Sequence, residues 1–134
     1  MATGASRMLV IAVDFDGVLC RKDWPRIGAP MPGAFDFLDW LELKGFKKVL
    51  WTCREGPWLD EALAWLDLKG KYGREWWDGV NETPACMVYE AGFKTPPRKV
   101  FADLYIDDRA IMFPVLDHEK QDVDWDLVKE CILS

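Results

Sequence analysis

A chain of 134 residues, half of them apolar, with a formal charge of −6, has the size of one domain with a real core. The acidic balance argues against a broad nucleic-acid surface, which needs clustered Lys and Arg. No stretch has the apolar length of a membrane span, and residues 1–8, MATGASRM, are too short and polar for a secretory signal, so a cytoplasmic protein without a membrane partner is expected.

Residues 8–14 form a continuous apolar run, as expected of a parallel strand covered on both faces. Residues 17–32, GVLCRKDWPRIGAPMP, hold three prolines and two glycines and read as an irregular loop or flap. From Pro32, PGAFDFLDWLELKG places Phe37, Leu38, Trp40 and Leu41 on one helical face and stops at Gly45. KKVLWT, 47–52, is a second strand. Pro57 then suits the first position of a helix, Asp60 and Glu61 its electropositive first turn, and Gly70 its end. A short strand is expected at 78–80, a further piece at 86–89, a clear strand at 102–107, and a fifth at 111–114. Asp124 can cap a closing helix, WDLVKECIL. Strand and helix in alternation imply right-handed crossovers and a mostly parallel sheet with helices on both faces. The expected fold is thus an α/β, three-layer Rossmann-like domain spanning 1–134.

Cys20, Cys53, Cys86 and Cys131 form no CxxC pair, and His118 is the single histidine. The cysteines therefore read as buried small apolar residues, and an imidazole-based triad has little support. Most of the eight tryptophans fall at helical spacing beside leucines; Trp24, Trp58, Trp76 and Trp77 are those that can reach a pocket.

In open α/β sheets, ligands bind beyond the carboxyl ends of the strands. Those ends here carry Asp14 and Asp16, then Thr52, then Asn81 and Glu82, then Asp107 and Asp108. Four acids converging from the first and fourth long strands repel unless a proton or a cation sits among them. An all-oxygen set of this kind suits Mg²⁺ together with substrate phosphate. Two aspartates one residue apart also allow a division of labour, one attacking phosphorus and the other handling the leaving-group proton.

DFDGVL at 14–19 resembles the first motif of the haloacid dehalogenase-like (HAD) phosphohydrolases, in which two aspartates flank one residue ahead of a Thr-or-Val, Leu-or-Val pair. LWTCR at 50–54 resembles the second motif, and IDDR at 106–109 the acidic fourth. The resemblance implies a Mg²⁺-dependent phosphomonoester hydrolase working through an aspartyl-phosphate. Asp14 would be the nucleophile and Asp16 the acid and base. Thr52 would bind a phosphoryl oxygen. Asp14, Asp16 (through its carbonyl), Asp107 and Asp108 would hold the metal. The related dehalogenases lack the second aspartate, so Asp16 favours phosphoryl transfer. The phosphate-neutralising cation would be Lys99, with Lys94 and Arg98 as rivals. Arg54, Asn81, Glu82 and Trp24 are candidates for contacting substrate.

Neither the stretch from Gly17 to Lys47 nor that from Arg54 to Arg98 has length for a folded cap, which wants roughly 50 residues. The expected site is open, shielded by the 17–32 flap. Its expected partner is a phosphorylated small molecule, a bulky phosphorylated substrate, or a second copy roofing the pocket in a homo-oligomer. Rival readings are a noncatalytic domain binding Mg²⁺, phosphate or a protein, a Trp-rich interaction module, and a phosphatase of polynucleotide ends, which the acidic charge disfavours.

Overall fold

The structure is a computed structural model that describes residues 9–134. The N-terminal segment 1–8, and with it the first residue of the expected 8–14 strand, lies outside the described residues.

The chain begins with β1 (Val10–Val13), whose four side chains are all 1 % exposed or less. A hairpin, β2 (Cys20–Asp23) and β3 (Arg26–Pro30), leads to α1 (Ala34–Leu43) and β4 (Lys47–Leu50). Then come α2 (Pro57–Leu68), β5 (Gly79–Val80), α3 (Ala85–Glu90) and β6 (Leu104–Ile106). A second hairpin, β7 (Val115–Asp117) and β8 (Asp122–Val123), precedes α4 (Trp125–Leu133). β5, β4, β1 and β6 lie side by side in that order in one parallel four-stranded sheet, with Val13 registered against Leu50 and Ile106.

The apolar run of β1 is explained by its central place. Ile11 and Val13 pack into the larger core with Phe37, Leu38 and Leu41 of α1, Ala62 and Leu66 of α2, and Val128 and Ile132 of α4. Val10 and Ala12 point the other way, toward Val49, Met87 of α3 and Val100. Both faces of the strand are therefore apolar, and no alternation is visible in its sequence. No helix among the described residues is long and apolar enough to cross a membrane.

Three expectations need correction. The 17–32 stretch is largely a β-hairpin, because its prolines sit where they cost no ladder bond: Pro25 in the turn and Pro30 at the end of β3. Residues 86–89 belong to α3 rather than to an extended piece, with Met87 and Val88 buried. Residues 111–114 are not a strand: Met112 has a left-handed backbone (φ 65), and Ile111 and Met112 are almost fully exposed. The pairing there starts beyond Pro114, in the hairpin of β7 and β8, so the main sheet has four strands.

The cysteines also depart from expectation. All four are free thiols, but only Cys20 is buried, and the other three are exposed.

Candidate functional site

The parallel ladder delivers polar residues to one end of the sheet. Beyond β1, the Asp14 N–H donates to the Ile106 carbonyl (2.9 Å), which sets Asp14 beside the start of the Asp107–Asp108 pair. Beyond β4, the Trp51 N–H donates to the Val13 carbonyl (2.9 Å), which brings Thr52 to the same edge. Beyond β5, Asn81 ties the array together. Its Oδ1 accepts from the Thr52 N–H (2.8 Å), and its Nδ2 donates to the Arg54 carbonyl (3.1 Å). Asn81 holds a left-handed backbone (φ 54), which asparagine tolerates better than most residues. It braces the Thr52 loop.

Asp14, Asp107 and Asp108 can each offer a carboxylate oxygen, and these three oxygens lie within 4.8 Å of one another. Burial first, then the charges of Asp107 and Asp108, push Asp14 from its ordinary value of 3.8 up to about 8, against the pull of the Phe15 N–H donating to its Oδ1 (2.7 Å). The Asp108 side chain is only 9 % exposed. Its Oδ2 pairs with Lys22 Nζ (2.5 Å), while its buried Oδ1 has no hydrogen-bond partner. A buried carboxylate oxygen without a donor costs of the order of 1–3 kcal/mol. A proton on Asp14 or a divalent cation among the three oxygens removes that cost. The donor set, three hard carboxylate oxygens within 4.8 Å of one another, could hold such a cation.

Gly17 makes this packing possible. At its φ of +89, a Cβ would lie 2.5 Å from Asp108 Oδ2 and 2.9 Å from Lys22 Cε. Any side chain there would displace the Asp108–Lys22 pair.

Asp16 stands apart from the three-carboxylate group. Its Oδ2 accepts from Arg54 Nε and its Oδ1 from Arg54 Nη2, both at 2.8 Å. Arg54, whose side chain is fully buried, also donates from Nη1 to the Pro25 carbonyl (3.1 Å) and from Nη2 to the Arg26 carbonyl (3.1 Å). One guanidinium therefore joins Asp16 to the turn of the β2–β3 flap. Cys20 sits beneath this pair; burial, then the nearby Asp16 charge, push its thiol up to about 12, so it is an inert neighbour.

A cavity of about 740 Å³ opens over this edge, lined among others by Asp14, Asp16, Thr52, Asn81 and Asp107. Trp24 also lines it, as does Trp58, while Trp76 and Trp77 do not; Trp51, which the helical spacing gave no reason to single out, does. Arg54 lines the cavity as well, with four of its five N–H groups given to Asp16 and the flap, and the Asp16 carboxylate faces Arg54 rather than the Asp14–Asp107–Asp108 group.

Glu82 is exposed and does not line the cavity. Lys99 does not line it either; its Nζ lies over the Tyr105 ring, 5.1 Å from the centroid. Lys94 and Arg98 are exposed and also outside it. Among the described residues, Lys22, delivered by β2, pairs with the three-carboxylate group through Asp108. The signal in the sequence was the basic group Arg21, Lys22 and Arg26 inside the flap.

No family model matches the chain, and no curated protein does. A solved structure of a conserved protein coded by a locus of Bacteroides thetaiotaomicron is similar to it, with 33 % identity and a TM-score of 0.71, over 95 % of this chain and 91 % of that one. With a third of the residues identical over nearly the whole of both chains, the protein belongs to the same family as that conserved Bacteroides thetaiotaomicron protein.

Proposed function

We propose that the protein is a capless HAD-type phosphatase, a Mg²⁺-dependent hydrolase of phosphomonoesters built on a three-layer Rossmann-like domain and acting in the cytoplasm. The observation that carries this reading is the group of three carboxylates, Asp14, Asp107 and Asp108, at the carboxyl edge of a parallel sheet, within which the buried Oδ1 of Asp108 has no hydrogen-bond partner. Asp14, Asp107 and Asp108 would hold Mg²⁺, which when bound supplies charge neutralisation for an anionic phosphate.

The chain's own residues account for the rest. Thr52, fixed by Asn81, offers its hydroxyl to a phosphoryl oxygen; Thr52 Oγ1 already accepts from the Arg54 N–H (3.1 Å), so the hydroxyl proton is free to point outward. Lys22 brings a positive charge to the same place. An Asp14 oxygen attacks phosphorus, a new P–O bond forms, and the bond to the ester oxygen breaks. The leaving alkoxide needs a proton, and the water that later cleaves the aspartyl-phosphate must lose one. Asp16 is the group for both tasks, and because both its oxygens accept from Arg54, either task needs Asp16 released from one of those bonds. That release is coupled to the flap, which the same guanidinium holds.

The Arg54–Asp16 pairing also favours a second reading, a domain that binds Mg²⁺ and phosphate without turnover. Purified protein incubated with Mg²⁺ and p-nitrophenyl phosphate, beside a broad panel of phosphomonoesters and an EDTA control, separates the two. We expect slow, metal-dependent phosphate release. Mg²⁺ binding with no metal-dependent release from any ester would leave only the second reading.

A further inference from the structure

Two tryptophans are placed where core packing does not account for them. Trp24, at the turn between β2 and β3, is 53 % exposed, and Trp58, in the first turn of α2, is 48 % exposed. Neither joins either core cluster, whereas Trp65 meets Phe15 edge to face and Trp125 stacks on Phe37 within the larger one. Trp24 and Trp58 instead meet each other edge to face, with centroids 4.9 Å apart and planes at 64°. Arg54 supports Trp24 from the buried side, its guanidinium carbon 4.9 Å from the ring centroid. Both indoles line the cavity that holds Asp14 and Thr52.

The charges along the same wall limit what else can bind. Arg54 has committed four of its five N–H groups, Lys22 is paired with Asp108, and Glu55 adds a negative charge to the same lining. Of the lining cations, only Arg109 stands outside these pairs, which is too little for a di- or triphosphate. The volume, about 740 Å³, lies in the range that holds a drug-sized ligand rather than phosphate alone. A flat, uncharged ring gains most from such a surface, since every aromatic base has a face to stack.

We propose that the cavity takes a phosphomonoester whose leaving group carries a flat aromatic base, in its simplest form a nucleoside monophosphate, with Trp24 and Trp58 as the stacking platform. This rests on the phosphomonoesterase reading. The net charge of −6 favours a free nucleotide over the end of a long nucleic acid.

The test compares kcat/KM for adenosine monophosphate, ribose 5-phosphate and a phosphorylated trinucleotide in the wild-type protein, Trp58→Leu and Trp58→Phe. Leucine keeps apolar bulk without a stacking face; phenylalanine keeps the face. The ratio of adenosine monophosphate to ribose 5-phosphate should be about tenfold or more in the wild type, fall about tenfold in Trp58→Leu, and recover in Trp58→Phe. A ratio near one, or one indifferent to Trp58→Leu, overturns the platform and leaves the phosphatase reading intact. A trinucleotide preferred over adenosine monophosphate overturns the free-nucleotide form. Saturation-transfer NMR on Asp14→Asn protein reads base contact without turnover. Transfer to the adenine protons that disappears in an added Trp58→Leu supports the platform even if no ester is hydrolysed, and absence of both transfer and turnover overturns platform and activity together.

Discussion

Asp14→Asn is expected to cut phosphomonoester turnover by at least about a thousandfold and to raise the melting temperature of the metal-free protein. The first effect follows from losing the attacking oxygen. The second follows from charge. Asp14 is pushed by burial and by Asp107 and Asp108 from 3.8 up to about 8 in the folded chain. The folded state therefore keeps a proton that the unfolded chain releases, and metal-free stability declines as pH rises from about 4 to about 8. Asparagine has no proton to release, and its carbonyl can still accept from the Phe15 N–H. Its advantage should be absent below pH 4 and reach about 2 kcal/mol near pH 8, after solvent screening at the cavity mouth. That corresponds to roughly 5–10 °C in Tm. Thermal melts in EDTA at pH 5 and pH 8 check it: the gain must be larger at pH 8, and a loss of stability there would contradict the electrostatic account.

That crowding of carboxylates was readable in the sequence because it depends on strand ends. Once residues 8–14 are read as a parallel strand covered on both faces, Asp14 lies at its carboxyl end, and the same logic brings Thr52, Asn81 and Asp107 to one edge. Helices α1, α2 and α4 were readable from Gly45, Pro57 and the Asp124 cap, whose side chain accepts from the Leu127 N–H, whereas α3 was not. What was not legible depends on pairing between distant segments. Nothing local distinguishes Lys22 from Lys99 as the cation nearest the acids; the choice is made by the fold of the β2–β3 hairpin, which turns Lys22 toward Asp108. Ile111 and Met112 read as a strand because they are apolar, yet the left-handed backbone at Met112 and the missing N–H of Pro114 move the pairing downstream. Three cysteines called buried are exposed because they lie in a loop and on outward helix faces, which residue type alone does not reveal.

Arg54→Met should destabilise the protein by about 3–5 kcal/mol, the cost of removing one partner of a buried ion pair. The variant leaves the Asp16 carboxylate, only 20 % exposed, without its two donors, and takes a donor from each of the Pro25 and Arg26 carbonyls. Methionine fills much of the volume but offers no hydrogen bond. Lysine keeps the charge without the planar fork, so Arg54→Lys should fall between the two. Adding Asp16→Asn to Arg54→Met should recover part of the loss, because the stranded charge is then gone. Urea unfolding of the three variants measures this. A loss below about 1 kcal/mol in Arg54→Met would mean that the guanidinium is not holding Asp16 and the flap together.

The proposed mechanism requires Asp14 to become covalently bonded to phosphorus. Asp16→Asn protein should accumulate that intermediate on p-nitrophenyl phosphate, whose leaving group needs little help from an acid while the hydrolysing water still needs a base. Acid quenching during turnover, followed by peptide mass mapping, reads it directly. The expected result is a phosphoryl group on the peptide carrying Asp14 and at no other residue; phosphate release with Asp14 unmodified, or a phosphoryl group on a different side chain, would contradict the mechanism.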